Sequence, residues 1–122
     1  MEFNFKEMVA VFKMAKSMVL ADGKIADAEL AFVANELKNF GALYQMKEIE
    51  EAGNKMESSE AFGILSSMPT PKKKYVCAYL GAICAVDGNV DPKETAMWSL
   101  ISLLADFPTM NISEAIDYWS KN

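Results

Sequence analysis

Asp22-Gly23-Lys24-Ile25-Ala26-Asp27-Ala28-Glu29 and Asp87-Gly88-Asn89-Val90-Asp91-Pro92-Lys93-Glu94 are two copies of one pattern, Asp-Gly-x-(Ile/Val)-x-x-x-Glu. From 22 to 87 and from 29 to 94 is the same step of 65 residues. Each copy lies between apolar stretches of helical period, so each reads as a hinge between two antiparallel helices. Two such hinges at a constant interval predict an all-α fold of about seven helices, packed as a compact bundle with internal pseudo-twofold duplication. The whole chain, 1–122, then forms one domain, with half-repeats over about 4–68 and 70–121.

The residues of the hinge have separate tasks. Gly23 and Gly88 stand where a helix exits, a position that often needs positive φ, which glycine adopts without a Cβ clash. Ile25 and Val90 follow as isolated apolar residues that shape the turn, with Ile25 expected to tuck back into the core. Glu29 and Glu94 fall in the first turn of the next helix, where the dipole favours an acid. In the second copy Asp91 is positioned to cap and Pro92 to take the first helical position.

Outward from the first hinge, Asn4-Phe5-Lys6-Glu7 has the form of a capping box. Phe5, Met8, Val9, Phe12, Ala15, Met18 and Val19 then recur three and four apart on one stripe. Past the hinge, Leu30, Val33, Leu37 and Phe40 give a second buried stripe, closed by Gly41. Leu43, Met46, Ile49 and Met56 mark the apolar edge of an acidic outer helix, and Phe62 and Leu65 belong to a shorter one over about 59–67. Pro69-Thr70-Pro71 breaks the chain at its midpoint.

Thr70 is expected to cap the next helix and Pro71 to open it, with Val76, Tyr79, Leu80, Ile83 and Cys84 inward. The helix after the second hinge is expected to bury Met97, Leu100, Ile101 and Leu104 and to stop before Pro108. Asn111-Ile112-Ser113-Glu114 repeats the capping-box form ahead of a last helix carrying Ile116 and Trp119. Period-two alternation is sustained nowhere, which argues against strands.

Composition narrows the function. The chain is 52% hydrophobic and 24% charged, as globular domains are. It has no histidine and no arginine, and its formal net charge is −5. That balance argues against a nucleic-acid or anionic-membrane surface. Lys72-Lys73-Lys74 is the one basic run, and it reads as a solvated first turn, with contact to an anion or an acidic partner as the alternative. No stretch reaches the roughly 18 apolar residues of a membrane span. The first residues lack the form of a signal peptide, so a cytoplasmic address is expected.

Without histidine, imidazole acid/base schemes and zinc- or copper-type sites lack their ligands. Cys77 and Cys84 are seven apart on one helix, roughly 10 Å in rise, too far for a disulfide. The methionines, Met8, Met14 and Met18 among them, and the aromatics Tyr44, Tyr75, Trp98, Tyr118 and Trp119 read as core and helix-contact residues.

Asp22 and Asp87 are the unusual acids, because the C-terminal end of a helix disfavours an anion. Two compensations fit: an Asx-type turn in which the side chain accepts from nearby backbone amides, or a bound cation. If the halves pack about a pseudo-twofold axis, Asp22, Glu29, Asp87 and Glu94 converge, and clustered carboxylates repel unless a metal or protons intervene. Oxygen donors suit Ca²⁺ or Mg²⁺. The spacing is not that of an EF-hand, which has glycine sixth and glutamate twelfth.

The doubled Ala-Asp-Gly-Lys-Ile-Ala-Asp-Ala-Glu and Val-Asp-Gly-Asn-Val-Asp-Pro-Lys-Glu, each after an apolar helix, resembles the TerB-like (tellurite-resistance protein B) family over about 5–104. The resemblance implies an all-α fold with internal pseudo-symmetry and an acidic cluster for a divalent metal, formed here by Asp22, Glu29, Asp87, Asp91 and Glu94. It also implies a role in bacterial responses to tellurite and other chemical stress or phage, as a module within larger assemblies. The first copy departs from the second, with Ala26 where Asp91 stands and no proline.

The expectation is a non-enzymatic module that binds a divalent cation at its hinges and acts through protein partners. The rival is a structural interaction or homodimerisation domain whose acids only cap helices. Metal-dependent hydrolysis lacks a phosphate-binding loop, an arginine clamp and a base.

Overall fold

The computed structural model describes residues 3–20, 46–85, 90 and 92–121. Within them lie six helices and no strand: α1 (Phe5–Val19), α2 (Met46–Lys55), α3 (Ser58–Ser66), α4 (Thr70–Ile83), α5 (Pro92–Leu104) and α6 (Ile112–Lys121). The helix expected over Leu30 to Phe40, and most of both hinges, lie outside the described residues.

α1 starts where its capping box predicts. The Asn4 side chain accepts from the Glu7 amide at 2.8 Å, and the Glu7 carboxylate accepts from the Asn4 amide at 2.9 Å. Two backbone donors that a helix start leaves orphaned are thereby satisfied. The apolar stripe that follows is buried from Met8 to Val19, and Ala10, Val11 and Met14 are buried with it. α1 is therefore enclosed on most of its circumference. It packs against α2 and α3 on one side and against α4 and α5 on another.

α4 is the second central helix, buried continuously from Val76 to Ile83. Tyr79, Leu80 and Ile83 are among its most enclosed side chains, each contributing roughly 1.5–3 kcal/mol by leaving water. Its start differs by one residue from expectation: Pro69 is the N-cap, without a side-chain cap bond, and Thr70 and Pro71 open the helix. Proline tolerates either place, since its missing amide costs no bond in the first turn. The Lys73 amide closes the first turn onto the Pro69 carbonyl at 3.1 Å.

α6 lies along α4, and Gly81 sets how closely. A Cβ at position 81 would stand 2.7 Å from the Ala115 Cβ and 2.8 Å from the Trp98 ring. Glycine is thus needed for the approach of α5 and α6 to α4. Trp119 of α6 packs at a tilt against both Tyr75 and Tyr79 of α4, at 5.2 and 5.3 Å between ring centres.

α5 begins at Pro92, as expected, but presents a different face. Glu94, Trp98 and Ile101 point inward, whereas Leu100 and Leu104, expected in the core, are about half exposed. The anchor is Trp98, whose indole N–H donates to the Cys77 carbonyl at 3.0 Å. A buried indole needs that acceptor, and holding it turns the leucines outward. Ile116 is likewise exposed, because Ala115 takes the contact with α4.

α5 ends in a Schellman turn. The Phe107 amide reaches the Ser102 carbonyl at 2.9 Å and the Asp106 amide the Leu103 carbonyl at 3.4 Å. Asp106 has φ 57°, the left-handed residue that the motif requires. α6 then opens with its own box, Asn111 and Glu114 bonded reciprocally at 2.8 and 3.2 Å.

Candidate functional site

Of the five acids nominated by the hinge pattern, Glu94 falls within the described residues. Asp22, Glu29, Asp87 and Asp91 lie outside them. Glu94 is the third residue of α5 and only 2% exposed. A carboxylate at that depth needs strong compensation, and the positive end of the helix dipole supplies part of it. Glu7 and Glu114 hold the same position in α1 and α6, each inside a capping box. Val90, just ahead, is half in water.

Among the described residues no group of three or more His, Cys, Asp or Glu is arranged to hold a metal. Cys77 and Cys84 are both buried thiols in the core around α4. The donors left for a cation at the hinges are thus carboxylate oxygens, a set that fits Ca²⁺ or Mg²⁺ and not a soft ion.

A second polar centre joins the starts of α1 and α4. Glu7 Oε1, already bonded to the Asn4 amide, also accepts from Lys72 Nζ at 2.9 Å. The Lys72 ammonium stands 5.2 Å from the Phe3 ring centre. Lys73 pairs with Asp106 at 3.2 Å, and the Lys74 ammonium lies 4.7 Å over the Tyr118 ring. Lys74 is exposed, as a solvated turn would have it, while Lys72 and Lys73 are half-buried and reach acids of α1 and of the turn after α5. Their partners are distant in sequence, so the local pattern holds no sign of them.

The end of α5 and the chain leading to α6 enclose an open pocket of about 420 Å³, walled by Trp98, Ser102, Leu103, Asp106, Phe107 and Thr109. Behind it, Cys77 Sγ lies 3.7 Å from the Ser102 hydroxyl and 3.7 Å from the Pro108 carbonyl. Burial pushes the Cys77 thiol above the ordinary value of 9.0, against the smaller opposite pull of Ser102 and Trp98. That thiol is a packing group, since nucleophilic cysteines need a lowered value and access.

The class defined so far is an all-helical bundle with two enclosed central helices. No family model matches the chain, and no curated protein matches it. Among solved structures, the crystal structure of a protein of unknown function from Porphyromonas gingivalis W83 is 44% identical, with a TM-score of 0.88. The match covers 100% of this chain and 99% of that one. The chain belongs to the same family as that protein.

Proposed function

We propose that this chain is a TerB-like, internally duplicated, non-enzymatic module whose hinge acids bind a divalent cation and which acts in stress response through protein partners. The observation that carries the duplication is the pairing of Glu7 with Lys72, 65 positions on, the same step that separates the two hinges. Corresponding residues of two repeats touch each other only near the axis that relates them. The helices keep nearly the same interval: α1 opens at Phe5 and α4 at Thr70, 65 on, while α2 spans Met46–Lys55 and α6 Ile112–Lys121, 66 on. α2 packs on α1 as α6 packs on α4.

Support for the cation is the repeated acidic pattern, whose second copy ends at Glu94 in the first turn of α5. Asp22, Glu29, Asp87, Asp91 and Glu94 would hold it. A bound Ca²⁺ or Mg²⁺ would neutralise the repulsion among them and tie the two hinges together. Melting the metal-stripped protein with increasing Ca²⁺ or Mg²⁺ tests this reading. A rise in Tm that disappears in Asp87→Asn supports it, and a Tm indifferent to both ions removes it.

One observation favours the structural alternative. Glu94 occupies the helix position at which Glu7 and Glu114 serve as caps, so a cap alone accounts for a glutamate there. On that reading Glu94→Gln lowers Tm equally with and without cation.

A further inference from the structure

Ser17, Ser66 and Ser120, the serines past the first turn of α1, α3 and α6, each bond their hydroxyl back to their own helix, at 2.9, 3.1 and 3.1 Å. A serine within a helix commonly satisfies its hydroxyl in this way. Ser99 and Ser102 of α5 do not. The Ser102 hydroxyl has the weak contact with the Cys77 thiol at 3.7 Å, and the Ser99 hydroxyl has no partner among the described residues. Both line the pocket at the end of α5, as does Thr109, whose hydroxyl is equally unspent.

Asp106 completes the polar set, in the turn that ends α5. Its Oδ2 is held by Lys73 at 3.2 Å, while its Oδ1 has no partner among the described residues. The backbone there is left-handed, with φ 57°, where glycine fits with less strain. The fold therefore gains little from a carboxylate at this position.

We propose that this pocket binds a neutral small molecule rich in hydroxyls, of the size of a monosaccharide. Its volume of about 420 Å³ is that of a small-ligand site. The walls select the class. Three hydroxyls that donate or accept, beside a carboxylate oxygen that accepts, match a row of ligand hydroxyls. Leu103 and Met110 offer apolar surface to the C–H face of a sugar ring. A flat aromatic ligand finds no open ring to stack on, because Trp98 and Phe107 are 4% and 8% exposed. An anion meets the Asp106 carboxylate, and a cation meets the Lys73 ammonium that already neutralises it. Water competes for every one of these groups, so the affinity is millimolar.

Amide proton–nitrogen correlation spectra, recorded in chelator while glucose or myo-inositol is added, test the proposal. The expected result is saturable shifts centred on Ser99, Ser102, Asp106 and Thr109 with either neutral probe. Glucosamine and glucose 6-phosphate, which carry a charge on the same ring, bind about tenfold more weakly. Asp106→Gly removes the carboxylate without straining the turn and is expected to weaken glucose and myo-inositol about tenfold while the remaining spectrum stays folded. Ser67→Ala, at the end of α3, leaves binding unchanged. Absence of saturable shifts with both neutral probes overturns the proposal. So does binding that Asp106→Gly leaves as tight, or a preference for either charged analogue.

Discussion

Glu7 and Lys72 meet at 2.9 Å across 65 residues of sequence, the interval that also separates Asp22 from Asp87 and Glu29 from Glu94. The same Glu7 oxygen closes the capping box of α1. One carboxylate therefore fixes a helix start and joins it to the first turn of α4. Glu7→Ala removes the return bond from the Asn4 amide and the Lys72 pair, leaves Asn4 accepting from the amide of residue 7, and is expected to cost about 1–2 kcal/mol. Lys72→Met leaves the cap and is expected to cost about 1 kcal/mol. Urea unfolding of both variants and of the double variant separates cap from pair.

Two glycines within helices give opposite expectations. Gly81→Ala forces a Cβ into the Ala115 Cβ and the Trp98 ring, and overpacking of about 1–3 kcal/mol outweighs the roughly 1 kcal/mol gained in helix propensity. At Gly63 nothing lies within 4 Å of the added Cβ, so Gly63→Ala is expected to stabilise by about 0.5–1 kcal/mol. Thermal melts of the pair test both signs.

These contrasts show how much of the fold was legible. The boxes at Asn4 and Asn111 and the start at Pro92 were readable because donor, acceptor and helix position all lie within four residues. The inner stripes of α1 and α4 were readable because an enclosed helix is apolar on nearly any projection. The face of α5 was not. Its apolar residues run nearly all round, and the choice of Trp98 over Leu100 depends on the Cys77 carbonyl and the room left by Gly81. At the candidate site, the acids were nominated by the repeat, by the place of Asp22 and Asp87 at helix ends and, for Asp91, by resemblance. That Glu94 is buried, and that Lys72, Lys73 and Lys74 each have a partner, are consequences of tertiary packing.

Asp106 occupies a left-handed position where glycine is the usual residue. Its ion pair with Lys73 involves a mostly exposed carboxylate and so contributes little. Asp106→Gly is expected to raise stability by about 0.5–1 kcal/mol through relief of backbone strain, measurable as a higher urea midpoint.

Cys77 gives the fold a pH dependence at the alkaline end. Burial holds its thiol above 9.0 in the folded chain, so between that value and the folded one the unfolded chain has lost a proton the folded chain keeps. By linkage, its contribution is fully present below 9.0 and is lost as pH rises past it. Urea midpoints on either side of that value are expected to fall more for the wild type than for Cys77→Ala, whose constant loss from the cavity does not change with pH.

The central claim is that the duplicated hinges share a divalent cation, and a calorimetric titration of Ca²⁺ and Mg²⁺ into metal-stripped protein tests it most directly. The account predicts saturable binding of one ion per chain, lost in Asp87→Asn and weakened in Glu94→Gln while both variants remain helical. Absence of binding heat for both ions, or binding that survives Asp87→Asn unchanged, contradicts it and leaves the hinge acids as helix caps.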